Sequence, residues 1–176
     1  MKKLYLSAFA TALMAGSALA HTPPPPPPPP TIEVAPTYST PAFDWDGFYM
    51  GLGITGLALN SGTNVGFADL IAGVNMTSGK LLFGLEGWIG GWASNAPTTG
   101  WGGGAEARLG YLVSPEALLY MSGGGYVVST GGQIATVGAG AEFALTQDMS
   151  LDLEYKYWWS VPTTGNSIGA SLNWGF

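Results

Sequence analysis

The sequence contains no cysteine and little charge. Charged residues make up 9% of its 176 residues, against roughly 25% in ordinary soluble domains. The missing cysteine excludes disulfides and thiolate metal sites, and because neither Ala20 nor His21 is a cysteine, it also excludes a lipid-anchored lipoprotein. Apolar content is ordinary, at 47%. The scarcity of charge therefore predicts a small water-facing surface.

The chain also lacks an apolar run long enough for a membrane-spanning helix, which needs about 20 residues. Its longest mostly apolar stretch, residues 4–15, follows two lysines and precedes a small-x-small site at Ala18 and Ala20. This arrangement is typical of a cleaved signal peptide, which we assign to residues 1–20. The chain is then exported, and a closed β-barrel is the remaining structure that could span a bilayer.

Basic residues become scarcer once this signal is removed. Lys80, Arg108 and Lys156 then stand against 11 acidic residues, which gives a net charge of −8. Proteins that bind nucleic acid present clustered lysines and arginines to the phosphate backbone. The charge balance therefore argues against nucleic acid as a partner.

Proline is concentrated before the folded region. Residues 23–30 are eight consecutive prolines, and Pro36 and Pro41 follow. Because proline cannot continue a helix or a sheet ladder, residues 21–44 are expected to form a disordered periplasmic tail. The octaproline would be a polyproline II rod of roughly 25 Å. A spacer is the simpler interpretation, and docking to a periplasmic or peptidoglycan-associated partner is the alternative.

Residues 45–176 show short segments of alternating apolar and polar or small residues, separated by turn residues. This alternation predicts an eight-stranded antiparallel up-and-down transmembrane β-barrel, an all-β fold with its apolar parity toward lipid. Strand 5 is apolar on both parities, which leaves its lipid face open. The predicted strands are 47–59, 65–76, 81–93, 100–113, 117–128, 133–145, 151–161 and 167–176.

An even number of strands places the first and last strand ends of the chain on one side of the membrane, which for an exported chain is the periplasm. The connections at 60–64, 94–99, 129–132 and 162–166 then face outward, and all four are short. Recognition in such barrels generally resides in long outer loops. Short loops therefore argue against a surface-binding role.

The beginning and the end of the barrel sequence both resemble a known family. Trp45-Asp46-Gly47-Phe48-Tyr49-Met50-Gly51 at the start, and Leu172, Trp174 and Phe176 at two-residue steps at the end, resemble small Gram-negative outer-membrane barrels of the opacity/porin-like, OmpA-membrane-domain-like group. The resemblance implies an outer-membrane location among lipid and lipopolysaccharide, and insertion by the barrel assembly machinery. The group includes structural proteins, narrow pores and surface-binding proteins, so it implies no single activity.

Eight charged residues lie on the parity opposite to the lipid face. An eight-stranded barrel encloses just enough room for side chains, so these residues are interpreted as an ion network that fills the lumen. The alternative is a narrow conduction path that favours cations, because the acids outnumber the bases. The eight residues are Asp69, Glu86, Glu106, Arg108, Glu142, Asp152, Glu154 and Lys156.

Aromatic residues recur near the predicted strand ends, as in the interfacial girdles of membrane barrels. One set is expected at the periplasmic boundary and another at the outer boundary. The first set is Trp45, Phe48, Trp174 and Phe176, and the second is Trp101, Tyr157 and Trp159.

The sequence carries no convincing catalytic or cofactor site. Residues 51–56 match a dinucleotide-binding fingerprint, but they lie inside a predicted strand where no helix can begin, so no cofactor is expected. The single histidine, His21, lies in the tail and leaves the barrel without the usual catalytic base. Asp152 and Glu154 are a weak candidate pair for a divalent ion, and no metal site is assigned.

The sequence thus predicts a non-enzymatic outer-membrane barrel with a structural or narrow porin-like permeability role. One alternative is a surface recognition or adhesion protein that binds through its outer rim. A second is a soluble, lipocalin-like barrel for an apolar ligand, which would turn its apolar parity inward and its charges to water.

Overall fold

The computed structural model describes residues 43–176, and they form a closed barrel of eight antiparallel strands. Each strand pairs with its neighbours in sequence, and β1 closes the barrel by pairing with β8. The predicted fold class is confirmed. The strands are β1 (Gly47–Leu59), β2 (Asn64–Ser78), β3 (Leu81–Ser94), β4 (Thr99–Ser114), β5 (Ala117–Val128), β6 (Gln133–Ala144), β7 (Met149–Ser160) and β8 (Thr163–Gly175).

The predicted signal peptide and the octaproline lie outside the described residues, as does the predicted tail except for its last two residues, 43 and 44. Within the described part of the chain, no helix has the length and apolar character needed to cross a membrane.

Strand β8 begins four residues earlier than the alternation predicts. Thr163 and Thr164 pair with Ser160 and Trp159 of β7, so only residues 161–162 connect the two strands. The predicted loop at 162–166 is therefore wrong. Thr163 and Gly165 share the inward parity of Ser167, where polar or small side chains are tolerated, and the outward Asn166 accepts a hydrogen bond from the Tyr155 hydroxyl on the neighbouring strand.

The apolar parity faces outward, as predicted. Phe48 is 70% exposed and Ile54 is 67% exposed, and the same pattern recurs around the barrel. A band of this kind would be unstable in water but is the expected surface of a barrel in lipid. The lipocalin-like alternative requires the reverse orientation and is wrong.

Pairing with β4 and β6 also settles the orientation of β5, which the sequence leaves open. Leu119, Met121 and Val127 point outward, whereas Tyr120 and Tyr126 are buried inside. Strand β5 is apolar on both parities because one face meets the surroundings and the other fills the lumen.

Both described chain ends lie at one end of the barrel, which we call the proximal end; the opposite end is the distal end. The Phe176 amide donates a hydrogen bond to the Phe48 carbonyl at 3.0 Å, which ties the last residue to the first strand. The distal connections, at 60–63, 95–98, 129–132 and 161–162, contain four residues or fewer.

Inward glycines make room for the aromatic side chains of neighbouring strands. Gly140 pairs with Tyr120, and a methyl group at Gly140 would lie 2.5 Å from Tyr120 Cζ. Gly104 faces Trp88 in the same way, with Trp88 Cζ2 at 2.5 Å from the position of an added methyl. These close approaches allow large rings to lie across a narrow lumen.

Candidate functional site: the barrel lumen

The proximal mouth is closed by apolar side chains, which we call the proximal plug: Trp45, Leu82, Leu118 and Tyr120. The Trp45 indole donates a hydrogen bond to the Pro115 carbonyl at 2.9 Å, and Phe43 packs against its ring at 4.6 Å between centroids. Trp45 was expected among the interface aromatics at the periplasmic boundary, but it is buried inside the mouth. Burial alternates without a break from Phe43 through Met50, so Trp45 shares the inward parity of Tyr49 in β1.

Arg108 is the centre of a group of polar side chains above this plug. Its Nη1 donates to Tyr49 Oη at 2.9 Å and to Glu86 Oε2 at 3.2 Å, and its Nη2 donates to Glu142 Oε2 at 2.7 Å. The guanidinium also lies 3.9 Å from the centroid of the Tyr120 ring. Arg108 is 3% exposed. One cation therefore links carboxylates from β3 and β6 across the lumen.

Both of these carboxylates receive further hydrogen bonds. Tyr49 Oη donates to Glu86 Oε2 at 2.6 Å. Glu142 Oε1 accepts from Ser150 Oγ at 2.6 Å and from Asn173 Nδ2 at 3.1 Å. A buried carboxylate needs several donors to offset the loss of its hydration. Tyrosine, serine and asparagine side chains supply the donors that two basic residues cannot.

Lys156 forms a second group, nearer the distal end. Its Nζ lies 2.8 Å from Glu154 Oε2 and 2.9 Å from Glu106 Oε2. The ammonium also lies 4.4 Å from the centroid of the Trp88 ring, a distance at which a cation is attracted to an aromatic face. Ser122 Oγ donates to Glu154 Oε1 at 2.6 Å. This arrangement holds one cation between two acids and a ring.

Two acids remain outside the ion pairs. Asp152 accepts hydrogen bonds from Tyr120 Oη, at 2.9 and 2.7 Å to its two oxygens. Asp69 lies at the distal edge of the charged region, and its buried Oδ1 has no hydrogen-bond partner among the described residues. We call the eight charged residues, together with Tyr49, Tyr120, Ser122, Ser150 and Asn173, the charge network.

The structure brings seven of the eight candidate charges together, with Asp69 as the outlier. The sequence reasoning missed the uncharged members of the network. A usable signal was present, since each of these five residues shares the inward parity of its strand. Their partners could not have been assigned, because contacts across the lumen depend on the stagger of strands that are distant in sequence.

Aromatic residues cross the lumen on the distal side of Lys156. The Phe67 and Trp158 rings stack at 5.5 Å, and Tyr126 meets Phe67 edge to face at 5.8 Å. The Trp158 indole donates to Ser167 Oγ at 2.7 Å, which fixes the ring orientation. Leu57 packs beside them. We call Leu57, Phe67, Tyr126 and Trp158 the aromatic layer.

An open cavity of about 370 Å³ lies above the aromatic layer, at the distal mouth. Its walls are apolar and include Leu59, Val65, Trp92, Val128 and Ile134. Hydroxyl groups of threonines and serines line its rim, and none of the lining residues is charged. We call this cavity the distal cup.

The remaining predicted interface aromatics lie on the outside of the barrel. Tyr157 and Trp159 stack at 6.1 Å on the outer face of β7. Trp101 is exposed near the distal end, Phe48 and Phe176 are exposed near the proximal end, and Trp174 is half-buried. These positions fit two rings of aromatics around the barrel.

Within residues 43–176, no group of three or more His, Cys, Asp or Glu side chains has an arrangement that could hold a metal ion. Apart from Asp69, the acids of the charge network form ion pairs or hydrogen bonds with Arg108, Lys156 and hydroxyl donors. The charged and polar side chains therefore fill the lumen and bind one another.

No protein-family model matches the sequence. Among curated proteins, the chain is similar to a 22 kDa outer membrane protein of Rhizobium leguminosarum bv. viciae, with 31% identity over 66% of this chain and 65% of that protein. The chain therefore spans just under two thirds of the length of this relative.

The fold is similar to those of two solved outer-membrane barrels. Neisserial surface protein A superposes with a TM-score of 0.51 at 16% identity. Ail, the attachment invasion locus protein of Yersinia pestis, superposes with a TM-score of 0.52 at 9% identity. Each comparison covers 74% of this chain and 97% of the other chain. At these identities, the likeness concerns the fold alone.

Proposed function

Because the chain is a small outer-membrane β-barrel protein of the group that its sequence resembles, we propose that it is a structural, non-conducting barrel. The observation that carries this proposal is the filling of the lumen at three successive levels. The proximal plug, the charge network and the aromatic layer each place side chains across the barrel, and they lie one above another between its two ends.

The spaces between these levels are too small for a conduction path. The cavity lined by Asp69, Lys156 and Trp158, between the charge network and the aromatic layer, has a volume of about 50 Å³. A water molecule occupies about 30 Å³ in the liquid. A hydrated ion would need the stacked rings above and the Arg108 links below to separate. The porin-like alternative is therefore less well supported than the structural one.

A recognition role has weaker support. Ail is named as an attachment protein, but the distal connections of this chain contain four residues or fewer. The three bases of residues 43–176 are also remote from the distal rim, with Lys80 in a proximal turn and Arg108 and Lys156 in the lumen. An anionic surface ligand would therefore find no lysine or arginine of residues 43–176 at the distal rim with which to form an ion pair.

The proposal includes an orientation and partners. An exported barrel inserts from the periplasm, so the proximal end with its preceding tail would face the periplasm and the distal cup would face outward. Outer-membrane lipid and lipopolysaccharide would contact the apolar band, and the barrel assembly machinery would insert it. A peptidoglycan-associated partner could bind only through the tail. Catalysis forms no part of the proposal.

Conductance of the purified protein in planar lipid bilayers tests the proposal. The expected result is no stepwise current from the wild-type protein, while a porin added to the same bilayer gives steps. Incorporation is verified separately by flotation of the protein with liposomes, and folding by a gel mobility that changes on boiling. Current steps whose frequency rises with the amount of wild-type protein would overturn the structural proposal in favour of the porin-like one.

A further inference from the structure

The distal cup has the size and lining of a small-molecule site. Ligand sites in proteins commonly enclose about 300–1,000 Å³, with apolar and aromatic walls and a few polar groups. The cup has a volume of about 370 Å³ and aromatic side chains at its base. An apolar cavity of about 150 Å³ is large enough for benzene, so the cup could hold a molecule of two fused rings.

The base of the cup favours a flat ligand over a flexible one. Phe67 and Trp158 are stacked with an angle of 24° between their planes, and both are buried. The hydrogen bond from the Trp158 indole to Ser167 holds this surface in place before any ligand arrives. A rigid molecule loses little conformational freedom when it packs on a preformed base of this kind.

The polar groups within reach of a ligand are the hydroxyls of threonines and serines among the lining residues, such as Thr130, Ser160 and Thr164. The Trp92 Nε1 and the Tyr126 Oη also lack a protein partner among the described residues, but both atoms are buried in the wall and cannot be reached from the open cup. A hydroxyl group on a ligand could hydrogen-bond to one of the threonine or serine hydroxyls.

We propose that the distal cup binds a small, uncharged aromatic molecule of one or two rings that carries one oxygen substituent. Charge is disfavoured because the lining contains no charged side chain to pair with it. This inference goes beyond the structural role, because a ligand can occupy the cup while the aromatic layer keeps the lumen closed.

The test uses 2-naphthol as the probe and the full barrel in lipid nanodiscs, with isothermal titration calorimetry and subtraction of empty nanodiscs. Saturable binding at one site per barrel is expected. Naphthalene-2-sulfonate should bind at least about tenfold more weakly, because burying its charge without a partner is unfavourable. Decanol, a flexible apolar molecule, should not displace 2-naphthol at equal concentration.

Two adjacent valines on β5 provide a matched pair of variants. Val128 lines the cup, whereas Val127 is exposed on the outer face of the barrel. Val128→Trp should fill the cup and weaken binding by at least about tenfold, since it removes the space for the ligand. Val127→Trp makes the same change on the lipid side and should leave binding within about twofold.

A gel mobility that changes on boiling verifies folding of each variant. Uptake by protein discs equal to that by empty discs, equal binding by the two valine variants, or displacement by decanol would each overturn the proposal.

Discussion

The two halves of the lumen use the same eight strands and the same inward parity, yet they are filled in opposite ways. The half that contains the charge network is held by directed bonds, such as those from Arg108 to Glu86 and Glu142. The half that contains the aromatic layer is held by packed rings, such as Phe67 on Trp158. None of the four ion pairs among the described residues involves a member of the aromatic layer.

The difference teaches that the two halves should respond differently to mutation. Removal of one member of a buried ion pair leaves a charge that has lost both its hydration and its counter-charge. Packed rings lose contacts in proportion to the atoms removed. Loss of stability should therefore be abrupt in the charge network and gradual in the aromatic layer.

The largest effect is expected for Arg108→Met, which leaves Glu86 and Glu142 buried without their cation. The free energy of unfolding should fall by about 3–5 kcal/mol, as when one partner of a buried ion pair is removed. Urea unfolding in lipid vesicles, followed by gel mobility, measures the loss. Lys80→Met is the control, because Lys80 is an exposed base in a turn. Equal losses in the two variants would contradict the central position of Arg108.

A smaller effect is expected for Trp158→Phe in the aromatic layer. The variant keeps a ring over Phe67 but loses some contact area and the hydrogen bond to Ser167. The loss should be about 1–2 kcal/mol, measured by the same unfolding titration. Trp159→Phe, which makes the same change on the outer face of β7, should lose less. A loss as large as that of Arg108→Met would remove the contrast between the two halves.

The smallest effect concerns Asp46, which lies before β1 and outside the membrane-spanning strands. Hydrogen bonds from the Thr77 hydroxyl and amide, each 2.5 Å long, hold the pKa of the Asp46 carboxyl below its usual range. The unfolded chain then binds the proton more readily than the folded one. The contribution is complete above the usual aspartate pKa of about 4 and is lost as the pH falls through the lower folded value.

Asp46→Asn checks this contribution in unfolding titrations at neutral and acidic pH. The variant should be slightly less stable than the wild type at neutral pH, and the difference should shrink as the pH falls below about 4. A difference that grows on acidification would have the wrong sign. Because Asp46 is exposed, the effect should be smaller than those in the lumen.

Much of this fold follows from alternation along the strands. The parity of β7 places Glu154 and Lys156 inside and Tyr155 and Tyr157 outside, because side chains of a strand alternate between its two faces. The same parity, continued before β1, places Trp45 inside with Tyr49, as the structure does, although an aromatic residue near a strand end is also typical of the membrane interface. The alternation alone did not decide the orientation of β5, because that strand is apolar on both parities. Pairing with β4 and β6 placed Tyr120 inside.

The sequence alone could not predict which side chains inside the lumen form ion pairs with one another. Glu86 pairs with Glu106 across β3 and β4, so local register alone would bring two acids together. The compensating cation for Glu86 is Arg108, which also reaches Glu142 on β6. Such contacts depend on the tilt and stagger of the whole barrel. The sequence therefore identifies which side chains fill the lumen, but not how they are joined.

Two tyrosines of β5 test the contrast between the two halves most directly. Both are buried and point inward, but Tyr120 Oη donates to Asp152 while Tyr126 Oη has no partner among the described residues. Tyr120→Phe should reduce the free energy of unfolding by about 1–3 kcal/mol, because it leaves the buried Asp152 carboxyl without its hydrogen-bond donor. Tyr126→Phe should cause no loss beyond about 0.5 kcal/mol, because it removes an unpaired hydroxyl. Equal losses in the two variants, or a larger loss for Tyr126→Phe, would contradict the account.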